Sequence, residues 1–325
     1  MKKKLCVRSV VALMMVAIMV LILLTGCGKK VEPTKITIGY QSLTVNLPLF
    51  CAVEQGYFKD HNLTVELVAF ETTNQIVDAL LTGKIDMSGI IAYQPLLSVE
   101  AQTQGRFKIF AANQETATGY IDLLVMRTGL AYTRLADLAG LTIGMNPGSS
   151  TRAIVTMMLK TVPGLVDQVT LVEIPAANQV AALQSNQVQG LFTLEPFATI
   201  AASGGAGFIA ERSPFSKYVL NNFTLGAAAF SANYAANNPK QVTAAVAAFN
   251  EGIQFLRTNP TQARAFLPKY TPVSQAVADQ VALGNVVKLQ DIDVKSMQDL
   301  ADIYTKAGEL PGTVTARNML YLVGK

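Results

Sequence analysis

Short runs with strand periodicity alternate with longer runs of helical spacing from Lys35 to Ile174, and this alternation constrains the fold more than any other feature. Lys35-Ile36-Thr37-Ile38-Gly39-Tyr40 alternates polar and apolar side chains with the period of two that a strand requires. Pro48 then opens a helical run through Leu49, Phe50, Ala52 and Val53, as suits a proline in a first turn, and Gly56 closes it. A second strand is predicted over 63–68, and Thr72 and Thr73 can cap a helix that runs to Leu81 and ends at Gly83. Further strands are predicted ending near Ile91 and over 107–112. The pattern restarts with strands over 121–126, 141–144 and 169–174, and with a helix carrying Ile154, Val155, Met158 and Leu159. Strands alternating with helices of this length predict α/β units around largely parallel sheets.

One segment echoes another. Asn74 to Leu80 precedes Gly83-Lys84-Ile85-Asp86, and Asn178 to Leu183 precedes Gln187-Val188-Gln189-Gly190. Both read as a helix, a tight turn and a buried strand, which supports two lobes of related design. After Phe230 the pattern turns helical, over 239–257, 260–267, 275–283 and 295–307.

Before this body lies a different kind of segment. Lys2, Lys3, Lys4 and Arg8 precede a 15-residue apolar run, Val10 to Leu24, which ends in Leu24-Thr25-Gly26-Cys27. A spanning helix needs about 20 apolar residues. A basic start, a short apolar core and small residues before a cut site describe a secretory signal. The tetrapeptide resembles the lipobox of bacterial lipoproteins. That resemblance implies a signal peptide over 1–26, lipidation of Cys27 and an extracytoplasmic, lipid-anchored protein, with 27–34 as a polar tether.

The formal charge of +4 is carried by that leader, because its four basic residues are matched by no acid. The remaining chain is formally neutral, which leaves nucleic acid without the basic patch it would need. With Cys6 in the leader and Cys27 lipidated, Cys51 stands alone in an apolar stretch and reads as a small buried hydrophobe.

The sequence offers little for metal or nucleophile chemistry. His61 is the one histidine, set in the polar loop Lys59-Asp60-His61-Asn62, so a histidine-based metal cluster cannot form, and no cofactor is expected. No phosphate-binding glycine-rich signature is present. Small-molecule binding is better supported. Gly148-Ser149-Ser150-Thr151-Arg152 lies between a strand and a helix, where free amides and hydroxyls favour an anion, and Arg152 opposes the helix dipole unless an anion or acid compensates it. Other strand ends supply Gln41, Ser42 and Asn46, then Tyr93 and Gln94, then Asn113 and Gln114, and finally Glu195, in the place where open α/β sheets bind ligands. Tyr93 or Tyr40 could instead stack on a neutral heteroaromatic.

The ordered set of these segments resembles the nitrate/sulfonate/taurine-type solute-binding proteins of ABC importers, a group that includes binders of thiamine-pyrimidine precursors. Ile36 to Tyr40, Pro48-Leu49-Phe50, Glu54 to Phe58, Gly83 to Asp86, Leu135 to Gly144 and Leu194-Glu195-Pro196 carry the resemblance over most of 35–257. It implies a two-lobed type II periplasmic-binding-protein fold: mixed, mostly parallel sheets, two crossing segments and a helical C-terminal part. One lobe would comprise 35–119 with 223–325, and the other 120–222. It further implies a monomer that delivers a small organic anion, such as a sulfonate, from an inter-lobe cleft to a membrane permease. Ser149, Ser150 and Thr151 would match the family's anion-binding turn, and Gln41, Ser42 and Asn46 its strand-one contacts. Pyrimidine-forming enzyme relatives carry a Cys-Cys-Cys-Phe-Cys cluster, which this chain lacks.

Overall fold

A computed structural model describes residues 33–322, built on two β-sheets. The leader over 1–26, Cys27 and most of the tether lie outside the described residues. The strands are β1 (Thr34–Tyr40), β2 (Leu63–Ala69), β3 (Met87–Ser88), β4 (Ile91–Ala92), β5 (Phe107–Glu115), β6 (Asp122–Arg127), β7 (Thr142–Met145), β8 (Thr170–Glu173), β9 (Gly190–Leu194), β10 (Gly207–Arg212), β11 (Phe223–Ser231) and β12 (Val286–Lys288). The first sheet has the order β12-β5-β11-β3-β1-β2, with β4 beside β11, and the second has the order β10-β6-β9-β7-β8.

The helices that matter below are α1 (Leu47–Glu54), α2 (Thr73–Leu81), α3 (Tyr93–Gln102), α4 (Ser149–Leu159), α5 (Ala176–Gln184), α6 (Phe197–Ser203), α7 (Pro214–Tyr218), α8 (Pro239–Thr258) and α9 (Val294–Lys306). Local chemistry explains several of them. Pro48 sits in the first turn of α1. Thr72 caps α2 through a capping box, its hydroxyl accepting from the Gln75 amide while the Gln75 side chain accepts from the Thr72 amide at 3.1 Å.

The echo between the two halves is topological. In the first sheet, β3 and β2 flank β1, all parallel, and α2 leads into β3. In the second, β9 and β8 flank β7, all parallel, and α5 leads into β9. Next to each parallel trio stands an antiparallel strand, β11 beside β3 and β6 beside β9. Each of these strands lies where the chain passes between sheets, from β5 to β6 and from β10 through α7 to β11.

This arrangement corrects one expectation. The sheets are mixed, but they are not mostly parallel, because every strand-to-strand pairing made by β5, β6, β10, β11 and β12 is antiparallel. The reason lies in the crossings: strands that carry the chain out of one sheet and back again oppose the trio they join. Apolar runs in a sequence do not reveal strand direction.

The long helix α8 packs against α1, and the fit is close at Gly252, where a Cβ would come within 2.1 Å of the Pro48 carbonyl oxygen. Phe249 of α8 meets Phe110 of β5 edge-on at 5.3 Å, and Phe110 lies 4.9 Å from Phe230 of β11. The C-terminal helix α8 therefore belongs to the core of the first sheet. Cys51 is fully buried in the same core, and burial pushes its thiol up to about 12. His61 is tied to α8, its Nε2 lying 2.6 Å from Glu251 Oε1.

Candidate functional site

Three helix starts meet at one cleft between the two halves. Asn74 and Asp78 of α2, Gln94 and Ser98 of α3, and Ser149 of α4 line it, with Val77, Pro95 and Val99 as its apolar floor. Its volume is about 150 Å3. That is below the roughly 300–1,000 Å3 of sites for drug-sized ligands, so the space suits a solute of few non-hydrogen atoms.

Each of these helices follows a strand in the chain, α2 after β2, α3 after β4 and α4 after β7. Gln41, just after β1, locks the first approach: its Nε2 donates to the Glu71 carbonyl at 3.0 Å and its Oε1 accepts from the Thr73 hydroxyl at 2.9 Å. The Thr73 hydroxyl also accepts from the Ala92 amide at 3.3 Å, which joins the starts of α2 and α3. Among the described residues, no acceptor meets the first-turn amides of Thr73 and Asn74, of Tyr93 and Gln94, or of Ser149, Ser150 and Thr151. Such amides cannot be satisfied within their own helices. Each helix start also carries about half a positive elementary charge.

The turn before α4 holds an internal anion of its own. Arg152 Nε and Nη2 each lie 3.1 Å from Glu173 Oε1, and the Gly148 amide donates to Glu173 Oε2 at 3.4 Å. Glu173, which the sequence reading did not single out, thus compensates Arg152. Both side chains are substantially exposed and Arg152 is turned to its partner, leaving the amides and hydroxyls of 149–151 as the polar groups of that turn.

Four of the nominated residues are buried and engaged within the protein, away from the cleft lining. Asn46 is fully buried and spent: its Nδ2 donates to the carbonyls of Gln41 and Ile90, and its Oδ1 accepts from the Ile90 amide at 2.7 Å. It fits there because Gly89 has no side chain, since a Cβ would lie 2.3 Å from Asn46 Oδ1. Tyr93 is the first residue of α3 rather than the end of a strand, so its ring turns into the core, its hydroxyl 3.9 Å from Met319 Sδ, and burial raises its pKa. It offers no stacking platform. Asn113 is fully buried in β5 and donates to Glu115 at 3.2 Å.

Glu195 is the fourth. Its carboxylate accepts from the Thr199 hydroxyl at 2.7 Å, the Thr199 amide at 3.1 Å and the Ala282 amide at 3.0 Å, while its carbonyl accepts from the Thr44 amide at 3.3 Å. Burial raises its pKa, and those hydrogen bonds and the Arg264 charge oppose the rise. Glu195 stitches the end of β9 to the first half. Gln114 is likewise engaged, donating to Thr224 and to the Asp293 carbonyl. Ser42 is half-buried, and among the described residues its hydroxyl has no hydrogen-bond partner.

Of the nominated groups, Gln94 and Ser149 line the cleft, Ser150 and Thr151 share the first turn with Ser149, and Gln41 supports it. The residues missed are Asn74, Asp78 and Ser98. Asn74 follows the Thr72–Thr73 cap, so the cap itself was a usable signal.

Sequence comparison now places the chain. A model of the NMT1-like family matches residues 29–267. The chain belongs to the NMT1-like family. A protein of Brucella abortus (strain 2308), named only as a candidate binding protein, is 24% identical over 277 residues, covering 80% of this chain and 81% of its own length. The alkanesulfonate-binding protein SsuA from Xanthomonas axonopodis pv. citri, solved with MOPS, superposes with a TM-score of 0.72 at 20% identity, over 89% of this chain and 99% of that one. The desulfurization enzyme DSZB superposes with a TM-score of 0.66 at 15% identity, over 89% and 97%. The two-lobed periplasmic-binding-protein fold is thereby established for this NMT1-like protein, and that fold serves both binders and an enzyme, so function has to be argued from the site.

Proposed function

We propose that the protein is the extracytoplasmic solute-binding component of an ABC importer, tethered through lipidated Cys27, and that it holds a small oxyanion such as a sulfonate between its two halves. The observation that carries this reading is the meeting of three helices at one small cleft lined by Asn74, Gln94 and Ser149, whose first-turn amides have no acceptor among the described residues. Amides and helix dipoles of this kind favour negative charge without a full counter-ion. Lobes of 35–119 with 223–325 and of 120–222 would close on the solute by moving about the crossings that follow β5 and β10. A closed form that recruits contacts from both halves makes affinity depend on the closing equilibrium. Docking of the closed form as a monomer on a membrane permease follows from the same reading.

Binding is favoured over catalysis because the cleft offers a single ionisable side chain, Asp78, and no nucleophile paired with a base. A neutral heteroaromatic ligand is the weaker alternative, since Tyr93 is withdrawn into the core.

A thermal-shift screen of alkanesulfonates, nitrate, carboxylates and pyrimidines tests the proposal, because a ligand that binds only the folded state raises the melting temperature. At least one oxyanion is expected to stabilise the protein. Stabilisation by neutral heterocycles alone would overturn the oxyanion reading, and turnover of a stabilising compound would overturn the binder reading.

A further inference from the structure

The two crossings between the sheets meet at a pair of buried acids. Glu115 ends β5 and Asp122 begins β6, so the pair brackets the first crossing. Both are fully buried. On Glu115, Oε1 accepts from the Ile121 amide at 2.7 Å and from Asn113 Nδ2 at 3.2 Å. On Asp122, Oδ2 accepts at 2.9 Å from the Phe215 amide, which belongs to the second crossing, and the Asp122 carbonyl accepts from the Ser213 amide at 3.0 Å. Each carboxyl is left with one oxygen, Glu115 Oε2 and Asp122 Oδ1, that has no partner among the described residues.

Were both ionised, these two neighbouring buried carboxylates would repel each other, and Glu115 Oε2 and Asp122 Oδ1 would each lack a donor. A single proton resolves both faults, since it turns one acid into the donor that the other needs. We infer that Glu115 and Asp122 share one proton in a carboxylic acid–carboxylate hydrogen bond, and that this proton-dependent clasp joins the two crossings about which the halves move. Burial first, and then the charge of Asp122, raise the pKa of Glu115 well above its usual range, so Glu115 keeps the proton. Burial also raises that of Asp122, against the hydrogen bonds it accepts.

Other ionisable groups on adjoining elements are engaged elsewhere. Glu195, whose amide donates to the Ile121 carbonyl, has its carboxylate on Thr199 and Ala282. Glu211 of β10 is held by Tyr132, Tyr218 and Lys217. Arg212, at the end of β10, is exposed. Asp293 bonds Asn222 and caps α9.

The sign of the pH dependence follows. Glu115 has a folded pKa above its unfolded one, so the folded state binds the extra proton. The stabilisation is complete below the ordinary glutamate range and is lost as pH rises through the raised folded value. While one proton is bound on folding, the folding equilibrium weakens about tenfold per pH unit from this source. Any effect of the clasp on lobe closure rests on the solute-binding reading, whereas the shared proton does not.

The test is denaturant unfolding of the ligand-free protein at a series of pH values from about 5 upward, for the natural chain, Glu115→Gln and Asp122→Asn. Either amide replaces the shared proton with a permanent N–H donor. Each single variant is expected to fold and to lose the tenfold-per-unit decline, and to equal or exceed the natural chain at alkaline pH. The double variant, with two donors facing, should be less stable than either single one. Should a single variant fail to fold, carboxyl carbon NMR of the natural chain replaces it, with one carboxyl expected to titrate far above the usual range. Both carboxyls titrating normally, or an unchanged slope in both single variants, would overturn the inference. So would a slope abolished in the natural chain by added calcium and restored by a chelator, which would mean that the pair holds a cation instead.

Discussion

The cleft and the crossings are both polar places between the two sheets, yet at the crossings most polar atoms are partnered within the protein, while the helix amides at the cleft are not. At the crossings, Asn113, Glu115, Asp122 and Glu195 bond one another or the backbone amides of Ile121, Phe215, Thr199 and Ala282, and only single oxygens such as Glu115 Oε2 and Asp122 Oδ1 are left over. At the cleft, the first-turn amides of Asn74, Gln94 and Ser149 meet no acceptor among the described residues. Buried polar groups that satisfy one another hold a structure together, whereas polar groups left waiting at a surface cleft are available to a solute. Standing at the end of a strand does not distinguish the two, and the difference lies in what else reaches the same atoms.

This contrast can be broken experimentally. The largest effect is expected at Glu195. Glu195→Ala strands the buried Thr199 hydroxyl and the Ala282 amide and should cost about 2–4 kcal/mol of stability in denaturant unfolding. A loss below about 0.5 kcal/mol, accompanied by lost ligand binding, would move Glu195 back to the cleft.

Ser149→Asp should do the reverse. A carboxylate at a helix start favours the helix. The melting temperature should therefore hold, while affinity for the oxyanion found in the screen falls by about tenfold or more, about 1.4 kcal/mol, as measured by calorimetry. Equal weakening of a neutral ligand would show that the charge is immaterial.

Much of the fold was legible because local chemistry and global position agree there. The Thr72 capping box, Pro48 in the first turn of α1 and the helix carrying Ile154 and Met158 formed as their spacing requires. What escaped is instructive. Phe223–Ser231 forms β11, but its Gly-Ala-Ala-Ala centre is buried on both faces and shows no alternation to read. Tyr93-Gln94-Pro95 reads as the exit of a strand, yet β4 is only two residues long and α3 starts at Tyr93. That one shift sends Tyr93 inward while leaving Gln94 at the cleft. The engagement of Asn46 and Glu195 within the protein is not legible in the sequence, because their partners Ile90 and Ala282 are distant in it.

Smaller effects sharpen the cleft. Asp78 is the one acid in its lining. Asp78→Asn should tighten oxyanion binding by about threefold, the scale of a screened surface charge. Weaker binding would mean that Asp78 accepts a hydrogen bond from the solute. Arg152→Ala should change stability by less than about 1 kcal/mol, because its pair with Glu173 is exposed. It should also leave affinity nearly intact, and a tenfold loss would return the guanidinium to the binding site.

The most direct measurement is an amide NMR titration of the isotope-labelled protein with the strongest oxyanion from the screen. If three helix starts hold the solute, the amides of Thr73 and Asn74, of Tyr93 and Gln94, and of Ser149, Ser150 and Thr151 should shift together, saturating at one equivalent. Saturable binding that leaves these amides unmoved would contradict the account.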